Sequence, residues 1–249
     1  MFFTPGFQSQ LVAWNMIIQS TLHGRTPMVI GEIYFWTATI NNWNKLLLDD
    51  SYKEIIIQSL DYLSKASKIS VYGFVIMPTH LHLIWSILGK NGKESPQGSF
   101  LKYTAHEFRS RLISEGKYKL NPFKVTSINK QHEFWQQDQF AIHLYSSQVA
   151  YQKLNYIHNN PLANHWQLAK TPSAYRYSSA GYYQSNDKNF AFLKDLRRIF
   201  KWIGNLERVS RDPSCSMRCA QSCVPHDSNL FIANRPVVCP TRLQFITKR

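Results

Sequence analysis

Residues 69–87 read ISVYGFVIMPTHLHLIWSI. The run from Ile69 to Met77 is apolar and rich in β-branched and aromatic residues, Pro78-Thr79 interrupts it, and His80 to Ile87 resumes the same character. Two such runs around a short break predict an antiparallel hairpin. Successive side chains of a strand point to opposite faces, so His80 and His82 emerge together, within roughly 7 Å of each other. Leu81, Leu83 and Trp85 turn to the other side. A rigid apolar backing beneath two imidazoles is what a shared cation needs. H-x-H pairs also occur on strands by chance, and neutral histidines find other partners, so the pair alone does not establish a metal site.

On the N-terminal side, Ile33 to Ile40 (IYFWTATI) predicts a strand ending at Asn41-Asn42. Ser51 with Glu54 reads as a capping box, followed by Ile56, Leu60 and Leu63 at helical spacing. On the C-terminal side, Gly89 to Gly98 reads as an exposed polar loop. Phe100 to Ile113 then predicts a helix with Leu101, Ala105, Phe108 and Leu112 on one side and Lys102, Arg109 and Arg111 elsewhere. Phe134 to His143 reads as a strand, and Gln148 to Asn160 as a helix stopped by Pro161. The order β, α, β, β, α, β, α predicts an α+β fold, an antiparallel sheet with helices packed on it.

The chain has 249 residues, 44% of them apolar, enough for a sizeable core. Lys and Arg number 29 against 15 Asp and Glu, a formal charge of +14 that favours polyanionic partners. Aromatics reach 14%, several beside cations as in Lys102-Tyr103 and Arg176-Tyr177, a composition suited to bases and phosphates, although most aromatics simply pack in cores. No Lys or Arg precedes Arg25 and no apolar run approaches the ~20 residues that span a bilayer, so the expectation is a cytoplasmic protein without membrane attachment. Cys215, Cys219, Cys223 and Cys239 all lie in the C-terminal tail, which excludes a disulfide framework for the main body and fits a reducing compartment. The spacing Cys215-x3-Cys219-x3-Cys223-x2-His226 lacks a C-x2-C knuckle and reads as free thiols rather than a zinc site.

Tyr156 and Asn160 are one helical turn apart and share a polar stripe with Gln152, whereas Leu154 and Ile157 point elsewhere. Tyrosine and asparagine near a helix end are commonly structural, and this stripe gains meaning only in combination. YGFVIMPTHLHLIW, followed by QKLNYIHNNPL and then YRYSSAGYY, closely resembles the REP-associated tyrosine transposases and related single-tyrosine HUH transposases of insertion sequences, over roughly Glu32 to Tyr183. The resemblance implies a ferredoxin-like HUH endonuclease core, a divalent ion (Mg²⁺ or Mn²⁺) held by His80, His82 and Asn160, and Tyr156 as nucleophile. It further implies cleavage and rejoining of single-stranded, hairpin-bearing DNA through a 5′-phosphotyrosine, in a DNA-associated prokaryotic protein. Asparagine is usual in the family where this chain has Thr79.

On this reading residues 1–31 are an extension of unassigned role, 32–184 the catalytic domain, and 185–249 a basic helix (Phe190 to Trp202) followed by a poorly ordered Cys-containing tail. Lys102, Arg109, Arg111, Lys153, Arg197 and Arg198 are candidate DNA contacts, with Lys153 able to steady the phosphate. A homodimer is left open. Two alternatives share parts of the pattern. One is a noncatalytic, domesticated nucleic-acid-binding protein on the same fold; the other is a relaxase or replication initiator, which usually carries a third histidine or second tyrosine and attached helicase regions.

Overall fold

A computed structural model of the chain describes residues 28–127, 130–137 and 140–200. Residues 1–27 of the N-terminal extension and the Cys-containing tail of the sequence reading lie outside them. The elements are β1 (Ile33–Thr39), α1 (Asp50–Lys65), β2 (Ile69–Ile76), β3 (His80–Ile87), α2 (Pro96–Glu115), β4 (Lys124–Ser127), β5 (Lys130–His132), β6 (Phe140–His143), α3 (Ser147–Asn159) and α4 (Ala180–Ser185). The main sheet runs β2-β3-β1-β6 with every pair antiparallel. That is an α+β architecture in which each split β-α-β unit is closed by its helix, the ferredoxin-like arrangement. Among the described residues no helix is long and apolar enough to cross a membrane.

The alternation of β1 and β3 divides the sheet into two unlike faces. On one, Trp36 stacks on Trp85 at 4.9 Å, Phe100 of α2 meets Trp36 edge-on at 5.9 Å, and Trp135 Nε1 donates to Thr104 Oγ1 at 2.9 Å. Helices α1 and α2 cover this face side by side, joined by Tyr52 against Phe108 at 5.7 Å. The other face carries Phe35, Thr37, His80, His82 and Ile84, and α3 lies across it. α3 comes close because β2 has Gly73 beneath it: a Cβ there would sit 2.7 Å from Leu154 Cδ1 and 3.2 Å from Ile157 Cδ1.

Several local expectations are corrected. The cap of α1 is Asp49, whose carboxylate accepts from Ser51 N at 2.8 Å, while Ser51 Oγ is buried without a well-aligned partner; the Ser51 capping box does not form. Glu54 turns away instead and accepts from Tyr177 Oη at 2.9 Å. α2 starts at Pro96, because Ser95 caps it through Gly98 N and proline suits the first helical position, so the polar loop is shorter than expected. The strand expected over 134–143 is reduced to β6: Trp135 bridges to Ile40 and buries its ring, which takes the chain out of the regular ladder. The small β4-β5 hairpin has no apolar alternation to announce it.

Packing continues beyond the boundary at 184 expected from composition. Phe190 and Phe192 lie 4.9 and 5.8 Å from Phe74, Lys194 N donates to Val71 O, and Leu196 is fully buried. The helix expected from Phe190 begins at 196 and is described to 200. Together with residues 175–179, where Ile76 N donates to Tyr177 O and Ser179 N to Phe74 O, this segment covers the free edge of β2.

Candidate active site

β3 sets both histidines on the α3 face, opposite Thr39 and Thr37 of β1 in the antiparallel register. His80 is 8% and His82 6% exposed, with ring centroids 4.8 Å apart at 68°. Each Nδ1 meets a threonine hydroxyl: His82 and Thr37 Oγ1 at 2.7 Å, His80 and Thr79 Oγ1 at 3.0 Å. With Nδ1–H donating to the hydroxyl, each Nε2 presents its lone pair. His82 Nε2 is buried and has no hydrogen-bond partner. Burial pushes the His80 imidazole down to about 4, with a smaller electrostatic contribution from the His165 side, and holds His82 well below its ordinary value, helped by His80 and Lys153. Both rings are therefore neutral at neutral pH, the protonation state in which imidazole ligates metals.

α3 is capped by Ser146, whose hydroxyl accepts from Val149 N. It buries Ala150, Leu154, Ile157 and His158. Tyr156 lies one residue off this stripe, its ring 5.5 Å from His82 and 6.2 Å from Phe35, which itself stacks on His82 at 5.2 Å. At 38% exposure Tyr156 keeps a face open to an incoming strand. Burial raises its phenol pKa, the neighbouring Asn160 side chain opposing the shift, so the group is neutral at rest. Lys153, half-buried, holds Nζ 5.2 Å from the Phe35 ring and 6.0 Å from the Tyr156 ring. Burial lowers its pKa.

Asn160 ends the helix just before Pro161, its Nδ2 buried and without a well-aligned partner. The helix is latched to the sheet by His158, whose Nε2 lies 2.8 Å from Ser179 Oγ; that hydroxyl accepts from Phe74 N at 3.0 Å. The three sequence segments that carried the family resemblance thus meet in one hydrogen-bonded cluster.

Two imidazoles with this spacing can reach one ion, and the unpartnered His82 Nε2 is the observation that fits one. Among the described residues no group of three His, Cys, Asp or Glu comes together.

The other candidate residues are placed elsewhere. Lys102, Arg109 and Arg111 are on α2, behind the opposite face of the sheet; Lys102 pairs with Glu94 at 2.8 Å and Arg111 with Glu115 at 3.1 Å. Arg197 and Arg198 are exposed beyond the β2 edge, Arg197 being paired with Asp195 at 2.8 Å over the Tyr183 ring. Sequence reasoning passed over Thr37, Trp43, His165 and Trp166. Thr37 becomes visible only through the β1-β3 register, and the two tryptophans only through their approach to His80.

No family model matches the sequence, and no curated protein matches it. Among solved structures the chain is similar to the REP-associated tyrosine transposase bound to a REP hairpin, at 17% identity over 69% of this chain and 88% of that chain, with a TM-score of 0.45. A candidate transposase of Deinococcus radiodurans R1 is similar at 16% identity over 55% of this chain and 95% of that one, with a TM-score of 0.33.

Proposed function

We propose that this protein is a single-tyrosine HUH transposase that cuts and rejoins single-stranded, hairpin-bearing DNA. The observation that carries the reading is the buried His80 and His82 pair, with an unpartnered Nε2, set 5.5 Å from the ring of a half-open Tyr156. His80, His82 and Asn160 would hold a divalent ion, Mg²⁺ or Mn²⁺, which supplies the charge that polarises a nonbridging phosphate oxygen. Thr37 and Thr79 hold the imidazoles in orientation through Nδ1.

Tyr156 Oη attacks the scissile phosphorus in line. The new bond joins Oη to phosphorus, the bond from phosphorus to the 3′ oxygen breaks, the phenol proton passes to water, and the leaving oxygen is protonated to a free 3′-OH. Storing the ester as a 5′-phosphotyrosine allows a second 3′-OH to reverse the step without ATP. Burial raises the Tyr156 phenol pKa above its ordinary value, so the proton leaves as the bond to phosphorus forms rather than before it. Lys153 places its ammonium beside the reacting tyrosine, where it opposes the charge of the phosphate.

The test uses the full chain, Mn²⁺ and a pool of single-stranded oligonucleotides, each with one hairpin and randomised flanks. A covalent protein-DNA adduct on a denaturing gel is expected, lost in EDTA and absent with blunt duplex. DNA binding without an adduct under every metal condition would refute catalysis and return the noncatalytic reading.

A further inference from the structure

The turn after β1 presents a tryptophan at cost. Asn42 and Trp43 both have positive φ, 54° and 55°. Asparagine tolerates the left-handed region, but a bulky aromatic there is a steric outlier that persists only where the surroundings over-determine it. They do so here: Ile40 N donates to Thr79 O, Asn41 N to Phe134 O, Trp43 N to Ile40 O, and Asn44 Nδ2 to Asn41 O at 2.7 Å. The turn is thereby tied to the break before β3 and to the Phe134 segment.

What this constraint displays is an indole 60% exposed to solvent, with its ring centroid 6.1 Å from His80 at 73°. A second indole, half-buried Trp166, lies 6.1 Å from the same imidazole at 57°, with His165 tilted against it at 5.3 Å. His80 therefore has aromatic neighbours on its outer side, while His82 has Tyr156 and Phe35. A strained, exposed aromatic is expensive to keep, and its position next to the phosphate-handling histidine names the chemistry it suits. Unpaired nucleobases stack on aromatic faces without regard to sequence, and a chain of net charge +14 draws such strands in.

We infer that Trp43, which shares the His80 imidazole with Trp166, forms a base-stacking subsite for an unpaired nucleotide flanking the phosphate at His80 and His82. The subsite rests on the proposed cleavage site and adds to it a reason for preferring single strands: a base held in a duplex cannot reach the indole. Trp43 acts as a positioning residue, fixing the strand so that the phosphate meets Tyr156.

The test measures binding of the full chain to a strand of eight thymidines and to an abasic strand of the same length, in EDTA, by fluorescence anisotropy. The unmodified protein should prefer the thymidine strand, and Trp43→Ala should reduce that preference by roughly five-fold or more. Trp43→Phe, which keeps a ring, should restore most of it. Circular dichroism checks that the variants fold. Equal preference in the unmodified protein and Trp43→Ala, or no measurable binding of thymidines, overturns the subsite. Adduct formation is followed separately: an adduct without Trp43-dependent stacking sinks the subsite alone, and stacking without an adduct sinks the cleavage reading alone.

Discussion

His82 buries a ring nitrogen that makes no hydrogen bond, a cost of about 1–3 kcal/mol in an unliganded fold. The proposed ion would remove that cost, with Thr37 holding the ring in orientation through Nδ1. Thr37→Val preserves shape but frees Nδ1, so Mn²⁺ affinity should fall about ten-fold, read by electron paramagnetic resonance of free Mn²⁺. Unchanged affinity would remove Thr37 from the account. His158 makes a pH prediction. Burial holds its imidazole at about 4, against an ordinary value near 6.5, so the native state keeps it neutral while the unfolded chain takes a proton. Its contribution is whole above pH 6.5 and is lost as pH falls towards 4, about 3 kcal/mol at the limit. Denaturant titrations should show His158→Gln with a stability slope over this window shallower by about one proton; an unchanged slope would mean His158 is protonated in the fold.

The approach of α3 to β2 is set at Gly73. Gly73→Val should destabilise by roughly 1–3 kcal/mol through overpacking, and Leu154→Ala should cost less in that background than alone. Additive effects in denaturation experiments would show that the contact is not tight. Truncation after Lys188 should unfold or severely weaken the protein, since it strips Phe190, Phe192 and Leu196 from the core, and a truncated chain with an unchanged denaturation midpoint would show that this segment adds nothing to the fold. The β2-β3 hairpin and the shared face of His80 and His82 were legible because strand periodicity alone decides them. The Tyr156 stripe was legible because Leu154 and Ile157 mark the buried side of α3. Other features depend on partners distant in sequence. Thr37 meets His82 through register, Asp49 outcompetes Ser51 as a cap, Trp135 leaves the ladder to fill the core, and the aromatics of 190–200 look like a tail until Phe74 is seen beneath them. Helical spacing offers the α2 cations as candidate DNA contacts but says nothing about which side of the sheet the helix covers.

For the molecule as a whole, the charge of +14 sets how it meets a strand. If about five phosphates are held, affinity for single-stranded DNA should drop roughly ten-fold with each doubling of salt, and a flat response would deny a phosphate-dominated contact. On the proposed function, that strand would reach a face where two neutral imidazoles, a tyrosine and an exposed indole sit within a few side chains of one another. The most direct test is to trap the protein on a hairpin-bearing single strand in Mn²⁺, digest the adduct, and locate the modified residue by mass spectrometry. The account predicts a 5′-phosphonucleotide on the peptide containing Tyr156 and no adduct from Tyr156→Phe, which should still bind DNA. An adduct on any other residue, or one that forms undiminished in Tyr156→Phe, would contradict it.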